Sequence, residues 1–180
     1  MNAHSKVNLN QSQLVIIDVQ SRLAEVMPAD AMQALVKNCG ILAQAAMMLA
    51  IPIALTEQYP KGLGHTLPEL SALIPDIQAV EKTVFSCVAE PRFNRQLTVD
   101  RPQIVLSGME SHICVLQTAL DLVAADVDDR RAADGVRQQA GQHAASAAAG
   151  QLLCRDDGHE QVAVVAAPGF GEAQAEQSDF

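Results

Sequence analysis

Tryptophan is absent, tyrosine occurs once, at Tyr59, and aromatic residues make up only 3% of the chain. Apolar residues still reach 49%, so any core must be aliphatic. Basic residues are also in short supply. Twelve Lys and Arg face 21 Asp and Glu, a net charge of −9, which argues against nucleic acid or an anionic membrane as main partner. The four cysteines, Cys39, Cys87, Cys114 and Cys154, show neither a CxxC pair nor Cys/His metal spacing. No apolar run is long enough to span a bilayer, and the polar start Met1 to Asn10 does not read as a signal peptide. A reduced, cytoplasmic compartment is the expectation. At 180 residues the chain is long enough to bury one core.

What the chain does contain is an alternation of buried strands and helices. Gln13 to Asp18 (QLVIID) is a short apolar run, the pattern of a central parallel strand, and it ends in an acid. Pro28-Ala29-Asp30 opens a long helix. Met32, Leu35, Val36, Cys39, Leu42, Ala43, Ala46 and Leu49 then repeat at three and four residue steps. Ile51 to Thr56 is the next strand, so the unit reads as a βαβ crossover with parallel strands. The loop EQYPKGLGHTLP follows and holds Gln58, Tyr59, Lys61 and His65. A weaker strand, Ile77 to Thr83, brings Lys82 to its end, with Phe85 just after. Glu90-Pro91 reads as a helix start.

Pro102 to Leu122 is the stretch on which chemistry converges. Gln103 to Leu106 is strand-like, Ser107-Gly108 breaks it, and a helix restarts near Ser111, a candidate N-cap. Cys114 then falls in the first helical turn. Backbone N–H groups and the helix dipole there favour thiolate over thiol and can hold an oxyanion beside the sulfur. Asp18, Lys82 and Cys114 thus occupy corresponding strand ends, where open α/β sheets place their ligands. Taken singly each has a plainer reading: a turn-forming Asp, a solvated Lys, an inert buried thiol.

The segments LVIIDVQ, TEQYPKGLG, EKTVFSC and SGMESHICVLQTALDL resemble the isochorismatase-like cysteine hydrolases, especially the branch carrying the TEQYP loop. The likeness covers residues 10 to 124. It implies a three-layer α/β/α fold around a mostly parallel sheet and a Cys–Asp–Lys triad falling on Cys114, Asp18 and Lys82. It also implies a cis peptide within Gly108 to Ser111, which turns backbone N–H groups toward the substrate oxygen. The candidates for that oxyanion site are Glu110, Ser111, Ile113 and Cys114. Gln20, Gln58, Tyr59 and Phe85 are candidate substrate contacts. Nicotinamidases of this superfamily carry an Asp-x-His metal pair after the second strand. Thr56-Glu57-Gln58 stands there instead, so no metal and no cofactor is expected.

The implied activity is attack of Cys114 on a small carboxamide. The alternatives are a silent binding protein on the same fold and a redox-sensing thiol protein in which Cys87 approaches Cys114. The expected partner is a small-molecule substrate, with a homo-oligomer if the tail folds.

Beyond Ala124 the composition changes. No Lys follows Lys82, no Met follows Met109, no Ile follows Ile113 and no Thr follows Thr118. Residues 125–180 carry −6 of the net charge. Residues 1–124 therefore read as the hydrolase core. Residues 125–180 read as a divergent or aberrant part of the same domain, with a reading-frame error the favoured account. In it Ala132 to Val136 faintly resembles an Asp-led loop of the family. Ala144 to Ala149 reads as helical, Val162 to Ala167 as a strand and Ala173 to Phe180 as a disordered tail.

Overall fold

The computed structural model describes residues 7–122 and 124, together with the backbone of three strands within 145–166. The first strand, β1 (Ser12–Ile17), is buried along its whole length, as its unbroken apolar run requires. A short helix α1 (Ser21–Ala24) and the long helix α2 (Ala29–Met48) follow, then β2 (Ile53–Gln58). Pro28 precedes α2, and the first turn carries Asp30, where a carboxylate suits the helix dipole. Two one-turn helices, α3 (Pro60–Leu63) and α4 (Pro68–Ser71), each start on a proline. Then come β3 (Ala79–Lys82), a 3-10 turn (Cys87–Ala89), α5 (Pro91–Asn94) and β4 (Gln103–Gly108). Helix α6 (111–122) begins with a π-helical turn, Ser111–Val115.

The seven described strands form one sheet in the order β3-β2-β1-β4-β7-β6-β5, where β5 is Ala145–Ala148, β6 Gln151–Arg155 and β7 Gln161–Ala166. Strands β3, β2, β1, β4 and β7 pair in parallel, and β6 and β5 add antiparallel at the edge. The side chains of β1 alternate between two cores. Leu14 and Ile16 pack with Met32, Leu35, Cys39, Ala43 and Ala46 of α2, while Val15 and Ile17 pack with Val115, Ala119 and Leu122 of α6 and with Phe93. This is the expected three-layer α/β/α arrangement around a mostly parallel sheet.

Several boundaries differ from those the sequence suggests. Strand β2 starts at Ile53, not Ile51, and runs on through Gln58, because Leu14 to Ile17 of β1 pair with Ile53 to Thr56. Glu110, not Ser111, caps α6. The alanine-rich stretch is a strand, not a helix: Ala145–Ala148 pair antiparallel with Gln151–Cys154, and backbone ladder bonds there override the helix propensity of alanine. The strand expected at Val162 is β7. Residues 132–136 and 173–180 lie outside the described residues.

Candidate active site

The site lies where β1, β3 and β4 end. Asp18 follows β1 directly and has φ 53°, in the left-handed region that short polar side chains tolerate best. Its N–H donates to the Thr56 carbonyl at 3.2 Å, and the Thr56 hydroxyl donates to Asp18 Oδ1 at 2.8 Å. The other carboxylate oxygen, Oδ2, accepts from Lys82 Nζ at 2.6 Å, and both side chains are fully buried.

Lys82 ends β3. Its ammonium is ringed by three more oxygens: Gln58 Oε1 at 2.7 Å, the Phe85 carbonyl at 3.1 Å and the Val84 carbonyl at 3.2 Å. A buried ion pair is tolerable only when its remaining donors are satisfied, and these oxygens do that.

Cys114 sits in the first turn of α6, close enough for its thiol to feel the Asp18 carboxylate and the Lys82 ammonium. The turn from β4 into α6 contains a cis peptide, Met109–Glu110, inside the expected window. Gly108 before it is required. Its φ is +143°, and a Cβ there would lie 2.1 Å from the Ile17 carbonyl oxygen. That close approach lets β4 run beside the end of β1, so Cys114 reaches Asp18.

Electrostatics reverse one expectation. The Cys114 thiol is not acidified but pushed up to about 12, first by burial and next by the Asp18 charge, with Lys82 opposing. The short dipole of a turn start does not offset lost hydration and a neighbouring carboxylate. Burial thus favours the thiol form of Cys114 beside the Asp18–Lys82 ion pair. Burial also raises Cys87 and Cys39.

The other candidates divide. Gln58 reaches the site, as an acceptor for Lys82. Gln20 is buried and braces the loop: its amide donates to the Gln58 and Gly64 carbonyls and accepts from the Gln58 N–H at 2.7 Å. Phe85 contributes its carbonyl, while its side chain and that of Tyr59 are half-exposed. Among the backbone candidates, the Ile113 N–H turns to the Glu110 carbonyl at 3.2 Å. Glu110 also pairs with His112 at 3.8 Å.

Three residues escaped the sequence reading as site groups: Thr56, Thr118 and Ser86. Thr56 orients Asp18, and Thr118 accepts from the Cys87 N–H at 3.0 Å. Cys87 lies 3.8 Å from Thr56 Oγ1, and the Ser86 hydroxyl is buried with no partner among the described residues. The helical repeat gave one available signal, since Thr118 lies four residues after Cys114 and so on the same face.

Glu57, the middle residue of the Thr56-Glu57-Gln58 segment, anchors the following loop. Its oxygens accept from the Thr66 N–H at 2.7 Å, the Thr66 hydroxyl at 2.8 Å and His65 at 3.0 Å. Among the described residues no group of three His, Cys, Asp or Glu side chains is gathered for a metal. No described helix is long and apolar enough to cross a membrane.

A strand-end carboxylate, ammonium and thiol on a parallel α/β sheet are the architecture of a hydrolase fold, and the comparisons agree. The chain belongs to the isochorismatase family: the isochorismatase domain matches residues 12–153, past the point at 124 where the likeness in the sequence stops. It is similar to isochorismatase domain-containing protein 2 of Bos taurus, 38% identical over 124 residues, covering 67% of this chain and 57% of that protein. It is also similar to the secreted isochorismatase effector Isc1 of Phytophthora sojae, 38% identical over 101 residues, covering 53% and 48%. Among solved structures, MAR1 ribonuclease from Caenorhabditis elegans superposes with a TM-score of 0.61 at 34% identity, covering 67% of this chain and 62% of that one. The chain spans about half the length of the curated relatives it matches.

Proposed function

We propose that this family member hydrolyses a small carboxamide through Cys114, with Asp18 as base and Lys82 as a fixed cation. The observation that carries the reading is the shared carboxylate. Asp18 binds the Lys82 ammonium through one oxygen at 2.6 Å and is also the charge that acts most on the Cys114 thiol, all three groups being buried. In this reading Asp18 takes the thiol proton only as the sulfur attacks the carboxamide carbon. The N–H groups of Glu110, Ser111 and Cys114 receive the developing oxyanion. The amine leaves with the proton from Asp18. Water then attacks the thioester, giving one proton to Asp18, which returns it to the sulfur. Lys82 moves no proton, because its four oxygen partners hold it as the ammonium.

The redox-sensing alternative is the weaker one. Oxidation selects exposed thiolates, and both Cys87 and Cys114 are buried with raised pKa values. The MAR1 neighbour is called a ribonuclease, whereas a net charge of −9 suits a neutral small substrate better than a polyanion. Three unpaired thiols, Cys39, Cys87 and Cys114, fit a reducing compartment such as the cytoplasm. Exposed Ile41, Met47, Met48 and Leu49 around the end of α2 suit self-association into a homo-oligomer.

A panel of small primary and secondary amides, read by ammonia or amine release, tests the reading. Hydrolysis by the wild type, loss in Cys114→Ala and an acyl mass on Cys114 in the wild type are expected. Hydrolysis that persists in Cys114→Ala would refute it.

A further inference from the structure

The ammonium of Lys82 is held from two sides. Asp18 and Gln58 supply side-chain oxygens from β1 and β2, but Val84 and Phe85 supply carbonyls from the strap that follows β3. Residues 83–86 belong to no helix or strand, and Thr83, Val84 and Phe85 are exposed. Nothing regular therefore fixes where those two carbonyls point. The strap becomes buried again at Ser86 and Cys87. There the Cys87 N–H donates at 3.0 Å to the hydroxyl of Thr118, itself fully buried in α6 one turn beyond Cys114.

We propose that Thr118 is a positioning residue for the triad: by holding the Cys87 N–H, its hydroxyl sets the strap whose carbonyls fix the Lys82 ammonium against Asp18. The inference rests on the triad reading above and adds a coupling between the nucleophile's own helix and the cation. A displacement of α6 at Thr118 would move the cage around Lys82 along with the thiol.

The bond can be removed from either end. Thr118→Val keeps the shape and deletes the acceptor. Cys87→Pro deletes the donor, and it falls on the first residue of the 3-10 turn, where proline is accepted. Ser86 before it already has φ −71° and ψ 129°, the extended backbone that a residue preceding proline adopts. Thr118→Ser keeps the acceptor.

Two measurements on the full chain report the cage without a known substrate. One is the nitrogen-15 signal of the Lys82 ammonium and its proton exchange. The other is the rate at which iodoacetamide alkylates Cys114. In the wild type and Thr118→Ser the ammonium signal should be slow to exchange. In folded Thr118→Val or Cys87→Pro it should broaden or vanish, and alkylation should slow about tenfold, the equivalent of one unit in thiol pKa. An unchanged ammonium signal in either folded variant overturns the proposal. So does a Thr118→Ser variant that behaves like Thr118→Val, since the methyl packing would then be what matters. Loss of amide hydrolysis as a finding for the wild type would sink the carboxamide reading while leaving these two measurements to decide the coupling by themselves.

Discussion

Replacing Asp18 by Asn should make Cys114 more reactive toward an alkylating agent and less able to turn over substrate. The two effects separate because Asp18 acts on the thiol in opposite senses. Its charge is the second cause, after burial, of a thiol pKa raised to about 12. At pH 8 a group with that value is thiolate in roughly one molecule in 10⁴. Asn keeps the shape, removes the charge and leaves Lys82 unopposed, so the thiol pKa should fall by at least about one unit and alkylation at pH 8 should rise about tenfold. Turnover should fall by about 10²-fold or more, since the base is gone. Stability follows the same sign. A thiol whose folded pKa lies above its unfolded value stabilises the fold fully below about pH 8.5 and loses that contribution as pH rises toward 12. Asp18→Asn should shrink this alkaline loss, although the buried Lys82 left without its partner costs about 3–5 kcal/mol near neutral pH. The assay is iodoacetamide labelling from pH 6 to 10, with Cys114 quantified by mass, beside ammonia release and a thermal melt. Alkylation that slows in step with turnover would refute the resting thiol. A wild-type labelling rate already flat above pH 7 would refute it too.

Two other outcomes follow from the same geometry. Gly108→Ala should lower the unfolding free energy by more than about 2 kcal/mol or prevent folding, because the added Cβ meets backbone atoms of Ile17 at 2.1–2.8 Å; a variant within about 0.5 kcal/mol of wild type by urea melt would show that the strands can part there. Chelators should leave amide hydrolysis unchanged, since the Glu57 oxygens are already occupied by Thr66 and His65; inhibition by EDTA that zinc reverses would overturn this.

The sheet was legible because unbroken apolar runs such as Leu14 to Ile17 have few alternatives to a strand covered on both faces. Helix α2 was legible because Met32, Leu35, Cys39, Ala43 and Ala46 keep one face buried over about four turns. The positions of Asp18, Lys82 and Cys114 came from their place at strand ends and from the family likeness. Their charge state did not, because burial is a tertiary quantity. The sequence shows Cys114 at a helix start but not the carboxylate that reaches it from β1. Gln58 and Gln20 looked alike as loop amides, yet one faces Lys82 and the other turns to backbone. Thr56 and Thr118 went unnoticed since neither carries chemistry alone. The short alanine strand was misread because alanine's local preference is weak beside an available sheet edge.

The oxygen cage of Lys82 bears on how a ligand arrives. One positive and one negative charge cancel within 2.6 Å, and the third member of the triad rests as a neutral thiol. The three groups then carry no net charge, within a chain of net charge −9. A charged substrate would feel that charge and lose or gain rate with added salt, whereas a neutral amide would not. If the substrate is the neutral amide proposed above, its turnover should be indifferent to ionic strength, a kinetic fingerprint of selection by fit after contact.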